Sequence, residues 1–318
     1  MNILFGCSEG PVINPNPKFS TFYGNIELRS QQAIDSFSLH NIDKIQGSLV
    51  IGNIVGGDIN NLNGLVALKE ISGELLIAHA GKLINLFGLD SLNVIGGNLI
   101  IHNNISIVNL DGINNLQTVG LDLNIRYNEK LGNINALFNV NSPIKDLHII
   151  GNPNLANLNG LINLTTVDGQ LMIHYNKILT NLQGLDNIMT IGGGLFISEN
   201  QSLNSLKGLD NLFIIEIESH GGLTIRYNNS LLNLIGLDSL TTIEGFLNIT
   251  ENPTLISLNG LSGLNHLNDR IMIFGNSALV DYCGIEQLIS QGWNSAYIVK
   301  DNLYNPSIQD LIDGNCKN

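Results

Sequence analysis

The sequence is poor in aromatic and charged residues and has no long apolar run. Only 6% of its 318 residues are aromatic and 13% are charged, whereas 43% are hydrophobic. No run of about 18 apolar residues occurs, so the sequence predicts no transmembrane segment. Lys and Arg number 14 against 27 Asp and Glu, a formal net charge of -13. This shortage of basic residues argues against nucleic acid and against anionic lipid as partners.

Cysteine is scarce, with three residues in the chain, Cys7, Cys283 and Cys316. Cys283 and Cys316 bracket the C-terminal segment, and a disulfide closing this loop would contribute roughly 3–4 kcal/mol in the chain-entropy model. We predict this disulfide, which implies an oxidising compartment; the alternative is two free buried thiols. The residues around Cys7 resemble the end of a bacterial lipoprotein signal, which predicts lipidation of Cys7. The alternative is a chance cysteine.

A repeat of about 24 residues, called a rung below, dominates the sequence. Each rung begins with Leu-x-Ile, continues to an Asn, and then carries apolar residues mostly three apart. Alternation with a period of two is typical of a short strand with one buried face. A single rung cannot bury its own leucines, so rungs must stack. We therefore predict a mainly β fold, a right-handed parallel β-helix or leucine-rich-repeat-like solenoid of about ten rungs with terminal caps. The strands are predicted to begin at Leu49, Leu75, Leu99, Leu123, Leu147, Leu171, Leu195, Leu223, Leu247 and Ile271.

Two periodic residues mark the corners of the rungs. Gly recurs at one corner, replaced once by Ala136, and indicates positive φ or close backbone approach. The Asn after each strand is predicted to stack as a buried amide ladder. A polar binding row is the alternative. The predicted ladder consists of Asn104, Asn128, Asn152, Asn176, Asn200, Asn228, Asn252 and Asn276.

The sequence predicts four segments. Residues 1–24 form an N-terminal tail, which includes the predicted remnant of a lipoprotein signal, and residues 25–44 form a cap with a short helix after Ser30. The solenoid covers residues 45–284, with an insertion around residues 216–220. Residues 285–318 form the C-terminal cap, where Asn305 and Pro306 are predicted to start a helix that Gly314 ends.

Basic and aromatic residues are predicted to share the outer face of the main sheet. Strand alternation places them outward, across about five rungs or roughly 20 Å. Aromatic residues and Arg are enriched in protein interfaces, and aromatic faces also stack on sugars. The alternative is that exposed sheets favour aromatic residues in any case. The predicted ligand-binding residues are Arg126, Tyr127, His148, His174, Tyr175, Phe196, Arg226 and Tyr227.

Residues 44–290 resemble the receptor L-domain family. The motif Gly97-Asn98-Leu99-Ile100-Ile101, followed by Asn104, Leu110-Asp111-Gly112-Ile113 and Leu116, carries the resemblance together with its repeats. The resemblance implies an extracellular, ligand-binding and non-catalytic fold. The C-terminal cap from Tyr282 to Cys316 resembles the end of such arrays in bacterial surface proteins. A cell-surface or secreted location, with the bacterial outer membrane favoured, follows from these resemblances.

The leading functional hypothesis is a recognition module that binds a glycan or a protein. A structural spacer within a surface assembly is one alternative. A carbohydrate-active β-helix enzyme is another, for which Glu199 and Glu251 would be the carboxyl pair. The histidines lie on different rungs and in different columns, so no metal site is predicted. No cofactor is expected.

Overall fold

The computed structural model describes residues 20–53, 57–217 and 221–318. The predicted lipidation site Cys7 lies outside the described residues, as do residues 218–220 of the predicted insertion. The chain divides into two compact units, Met1–Asn154 with Asn159–Asn163, and Leu155–Leu158 with Leu164–Asn318. The prediction of a mainly β solenoid is confirmed, since parallel sheets stack in about 11 turns.

Each unit has a main sheet built from the Leu-x-Ile segments. Equivalent residues of successive rungs pair in register, as in Leu99 with Leu123 and Ile101 with Ile125. The main-sheet strands of the first unit are Ile26–Leu28, Leu49–Ile51, Leu75–Ala78, Leu99–His102, Leu123–Arg126 and Leu147–Ile150. Those of the second unit are Leu171–His174, Leu195–Ser198, Gly222–Arg226, Phe246–Thr250, Ile271–Phe274 and Tyr297–Lys300.

A smaller parallel side sheet closes the other side of the rungs in each unit. The first unit uses Ser20–Tyr23, Ile42–Gln46, Glu70–Ile71, Val94–Ile95 and Thr118–Val119. The second unit uses Thr166–Val167, Thr190–Ile191, Ile214–Ile215, Thr242–Ile243 and His266–Leu267. The α-helices are Gln31–Phe37, Glu286–Ser290 and Ile308–Ile312. The 3-10 helices are Ser38–His40, Asn63–Leu65, Asn135–Leu137, Asn159–Leu161 and Cys283–Ile285.

The core consists of the periodic Leu and Ile side chains. In the rung that starts at Leu99, the residues Leu99, Ile101, Ile107, Leu110 and Ile113 are all fully buried. Spacing by two in the strand and by three in the turns directs them to the same interior. Truncating one of them to Ala leaves a cavity, which typically costs about 2–5 kcal/mol.

The asparagines form a buried ladder within each unit. Asn128 Oδ1 accepts hydrogen bonds from the backbone N–H of Asn104 at 3.1 Å and from its amide at 3.3 Å. The Asn104 amide also donates to Ile77 O at 2.9 Å. In the second unit the same pattern runs from Asn176 to Asn276 and then reaches Asn302, one rung beyond the predicted ladder. Within each unit, these hydrogen bonds tie the turn after one main-sheet strand to the next rung.

The side sheet of the first unit stops at Thr118–Val119 because the next rung has a different sequence there. Ser142 and Pro143 stand where the following strand would begin, and Pro143 has no N–H to donate. The Ser142 hydroxyl instead accepts from Val119 N and donates to Val119 O, both at 3.0 Å. Ile144 still fills the core. One side chain thus replaces the lost strand pairing.

The glycine corner occurs in two backbone forms. At Gly112 φ is 117°, and a Cβ there would lie 2.0 Å from Leu86 O, so this form requires glycine. In the 3-10 form the φ of the corner residue is not positive, and Ala136 occupies such a corner in Asn135–Leu137. The 3-10 form thus removes the need for positive φ at Ala136, although other corners of this form, such as Gly160, still have backbone where a Cβ would lie.

The C-terminal segment continues the solenoid before it ends. Tyr297–Lys300 pairs in parallel with Ile271–Phe274, so a further main-sheet strand lies inside the segment predicted to be only a cap. Cys283 and Cys316 are joined by a disulfide, with their Cα atoms 4.9 Å apart. Glu286 lies beside both sulfur atoms, but disulfide sulfurs offer no thiolate to a metal ion.

The last helix begins two residues later than predicted. Its N-cap is Ser307, which accepts from Asp310 N at 3.1 Å while the Asp310 carboxylate accepts from Ser307 N at 2.8 Å. Asn305 does not cap the helix, because its side chain bonds Asn302 at the end of the asparagine ladder. The assignment of Asn305 and Pro306 to the helix start was therefore wrong.

Candidate functional site

The outer face of each main sheet carries three columns of side chains. Two come from alternate strand residues, and the third comes from the turn residue that follows the strand. The turn residue has positive φ in rung after rung, with values from 52° at Asn103 to 72° at Gly275. The residues at this turn position are His79, Asn103, Tyr127, Gly151, Tyr175, Glu199, Tyr227, Glu251, Gly275 and Asp301.

Backbone pairing imposes this left-handed turn. The N–H of Tyr127 donates to Ile150 O at 2.8 Å, and the N–H of Asn103 donates to Arg126 O at 2.9 Å. The asparagine that follows is locked into the ladder. Gly and Asn enter the left-handed region easily, whereas a bulky residue there costs about 1 kcal/mol or more. The backbone conformation of the turn therefore does not explain why Tyr occurs at this position.

The three turn tyrosines are exposed. Their exposed fractions are 51% for Tyr127, 49% for Tyr175 and 45% for Tyr227. None of them belongs to the core. They present aromatic surface to solvent at positions that the fold would fill more easily with Gly or Asn.

In the first unit, Arg126, Tyr127 and His148 form one cluster. The Arg126 guanidinium donates to Asn124 Oδ1 at 2.6 Å and contacts His148 Nδ1. His148 Nδ1 also lies 2.7 Å from Asn124 Oδ1. Asn124 is buried although strand alternation points it outward, because these two larger side chains cover it. The amide thus holds Arg126 and His148 together.

Tyr127 leans over the next rung. A Cβ at Gly151 would lie 2.5 Å from Tyr127 Cδ1, so the ring occupies the space that a side chain at Gly151 would need. The His102 ring meets Tyr127 edge to face at a centroid distance of 5.7 Å. Burial lowers the pKa of His102, and the neighbouring His79 and Arg126 lower it further.

In the second unit, His174 and Tyr175 lie beside each other, with ring centroids 6.2 Å apart. The Ser198 hydroxyl contacts His174 Nδ1. Burial is the main cause that lowers the pKa of His174; Arg226 adds to it and Glu199 opposes it. Ser198 was missed as a partner of His174, although its position one rung later in the same column is the signal that predicts the contact.

Arg226 and Phe196 complete the predicted set in this unit. The Arg226 guanidinium lies 5.8 Å from the centroid of the Tyr227 ring, within cation–π range. Phe196 is half-buried and lies over Gly194, where a Cβ would be 2.4 Å from the ring.

The His174–Ser198 contact does not make a nucleophile. Ser198 is fully buried, as Thr224 and Thr250 nearly are, so a substrate cannot reach its hydroxyl. The expectation that every alternate strand residue faces solvent was wrong at these positions, because larger neighbours in the same face cover the small side chains. The contact instead orients the imidazole.

Residues 163–260 match the family model of the receptor L domain. The resemblance is thereby confirmed for this segment, which includes the turn residues Tyr175 and Tyr227. This family is a non-enzymatic, ligand-binding family whose domains are extracellular. No curated protein matches the sequence. Among the described residues, no helix is both long and apolar enough to cross a membrane.

Proposed function

We propose that this chain is a non-catalytic recognition module, on the cell surface or secreted, that binds a glycan or a protein through the outer face of its main sheets. The single observation that supports it best is the occurrence of Tyr at three left-handed turn positions. A neutral spacer would gain stability from Gly or Asn there, as at Gly151 and Asn103.

The surroundings of the tyrosines support the same proposal. Arg226 lies against Tyr227, while Arg126 is held beside Tyr127 by Asn124. Arg and Tyr are the residue types that dominate binding hot spots, because they combine large contact area with hydrogen-bonding tips. Holding them in place before binding lowers the entropy lost on association.

The experiment is a glycan array and a pull-down with labelled protein. The test variant carries Tyr127→Asn, Tyr175→Asn and Tyr227→Asn. The control carries Phe87→Asn, Phe138→Asn and Phe213→Asn, three aromatics of similar exposure outside the main sheets. We expect ligands that bind the wild type and the control but not the test variant. Ligands retained equally by all three proteins would refute a role for the three tyrosines, and no ligand at all would favour a spacer.

We further propose a bacterial outer-membrane location with a lipid on Cys7, on the basis of the sequence Leu4-Phe5-Gly6-Cys7. Mass spectrometry of the protein isolated from its source cells should show an acylated Cys7. An unmodified thiol at Cys7 would exclude this anchor.

A further inference from the structure

A groove of about 420 Å³ lies on the outer face of the main sheet in the first unit. None of the residues that line it belongs to the ligand-binding set predicted from the sequence. Its volume falls within the range of about 300–1,000 Å³ that is usual for small-molecule sites. It is large enough for a sugar ring.

Small residues in the second outer column create the groove. Gly52 and Ala78 occupy the column positions that His102 and Arg126 fill in the next two rungs. At Gly52 φ is 126°, and a Cβ would lie 1.7 Å from Ala78 O, so no side chain fits there. The depression is thus set by the backbone and does not depend on a chance rotamer.

The floor of the groove is apolar and its rim is polar. The floor consists of Val50, Leu76, Ala78 and Ile100. The rim includes Arg29, His79 and His102. An apolar floor suits the C–H face of a sugar ring, and a few placed polar groups fix its orientation.

The two histidines on the rim are arranged by their neighbours. Their rings meet edge to face with centroids 5.6 Å apart. The amide nitrogen Nδ2 of Asn103, which can only donate, lies 2.9 Å from His79 Nδ1. Nδ1 is therefore the acceptor, and Nε2 carries the N–H in the neutral ring. His79 thereby keeps a donor for a ligand.

The excess of acidic residues in the whole chain does not extend to the surface around the groove. The net charge of the chain is -13, yet the three outer columns from residue 50 to residue 151 contain no Asp or Glu among the described residues. The same columns hold His79, His102, Arg126 and His148. Glu27, the acidic residue of the lining, is paired with Arg29 at 2.6 Å. Other carboxylates, such as Glu74 and Asp122, precede the strands at the far edge of the sheet.

We propose that this groove is a subsite for a carboxylate-bearing sugar, such as the uronic acid unit of an acidic glycan. The inference rests on the proposed function, since it specifies the ligand of the same face. The sugar ring lies on Leu76, Ala78 and Ile100. Its carboxylate accepts from the imidazole N–H groups of His79 and His102, within the field of Arg126.

The probe is trigalacturonate, compared with its fully methyl-esterified form, in calorimetric titrations at pH 6.0 and low salt. We expect the wild type to bind the acid at least tenfold more tightly than the ester, because only the acid carries negative charge. Equal affinity for both forms, or no binding of the acid, would overturn the proposal.

Two variants localise the binding. Ala78→Leu extends a side chain into the groove from a strand position that accepts leucine, as at Leu76, and should abolish binding. His102→Asn removes the imidazole and should weaken binding at least fivefold. His266→Asn, in the side sheet of the second unit, is the matched control and should bind as the wild type does. Wild-type affinity in both groove variants would refute the subsite.

The outcome also separates this inference from the broader proposal. If the triple tyrosine variant loses trigalacturonate but Ala78→Leu retains it, the sheet face binds ligand and the groove assignment is wrong. If Ala78→Leu loses it and the tyrosine variant retains it, the groove is the site and the role given to the tyrosines is wrong. Circular dichroism of each variant excludes loss of fold as the cause.

Discussion

At the level of residues, the fold fixes the backbone conformation of the turn after each main-sheet strand but leaves the side chain at that turn free to vary. The backbone of Tyr175 must adopt positive φ because its N–H donates to Ser198 O in the next rung, at 3.2 Å. The fold does not require a tyrosine side chain at this position, since Gly, Asn and acidic residues occupy the equivalent positions of other rungs. A tyrosine kept there at a conformational cost is therefore evidence for a surface role.

His102 and His174 should titrate with a pKa below the ordinary value for histidine. Burial lowers the pKa of His174 in the folded state below 6.5, its value in the unfolded chain. At a pH between the folded and the unfolded pKa, the unfolded chain therefore binds more protons than the folded one. Stability should therefore fall as the pH drops below 6.5. NMR titration should give His174 a midpoint below 6.5, and His174→Gln should lose less stability than the wild type between pH 7.5 and 5.5. A midpoint at or above 6.5 would contradict the buried environment.

At the level of elements, the asparagine ladder is the feature that fixes rung to rung. Asn200 donates from its amide to Ile173 O at 2.8 Å, and its backbone N–H donates to Asn228 Oδ1 at 3.2 Å. Its own oxygen accepts from the backbone and the amide of Asn176. These groups are buried, so a donor or acceptor that loses its partner cannot form a hydrogen bond with water instead.

Removing one rung of the ladder should be strongly destabilising. Asn200→Ala leaves several buried polar groups without partners, at about 1–3 kcal/mol for each. We expect urea denaturation to show a loss of roughly 3 kcal/mol or more. Asn204→Ala is the matched control, because Asn204 is exposed and four residues away, and it should change stability by less than about 0.5 kcal/mol. Equal effects of the two substitutions would show that the ladder does not stabilise the fold.

The C-terminal segment depends on its disulfide. The bond joins residues 33 apart, and the chain-entropy model gives it roughly 3–4 kcal/mol. Cys283→Ser with Cys316→Ser should lower the free energy of unfolding by about this amount, measured by denaturant titration without reductant. Reductant should destabilise the wild type and leave the double variant unchanged. A wild type that is insensitive to full reduction would contradict this stabilising role.

The elements that the sequence did not predict depend on hydrogen bonds, either between neighbouring rungs or within the C-terminal segment. The two-residue side-sheet strands, such as Thr190–Ile191, are too short for a period to be visible, although the neighbouring rungs pair them. The strand Tyr297–Lys300 was missed because it lacks the Leu-x-Ile motif. The last helix starts after Ser307 because Ser307 and Asp310 form reciprocal hydrogen bonds, and Asn305, the cap predicted from the sequence, does not cap it.

At the level of the whole molecule, periodicity predicted the fold, because the buried leucines repeat at a fixed interval and only stacking buries them. The period also located the columns that contain Arg126, Tyr127 and Arg226. It could not predict which outward residues would be covered: Asn124 and Ser198 are buried by larger neighbours, a result of side-chain packing between rungs. It also missed the groove, which arises from the small residues Gly52 and Ala78.

The central claim is that the main-sheet face binds a ligand and that its tyrosines serve that role. The most direct measurement is the melting temperature and the ligand affinity of one variant, with Asn replacing Tyr127, Tyr175 and Tyr227. We expect an unchanged or slightly raised melting temperature, since Asn adopts positive φ more easily than Tyr. Affinity for the ligand found on the array should fall at least tenfold. A large drop in melting temperature with affinity intact would show that the tyrosines are structural and would contradict the account.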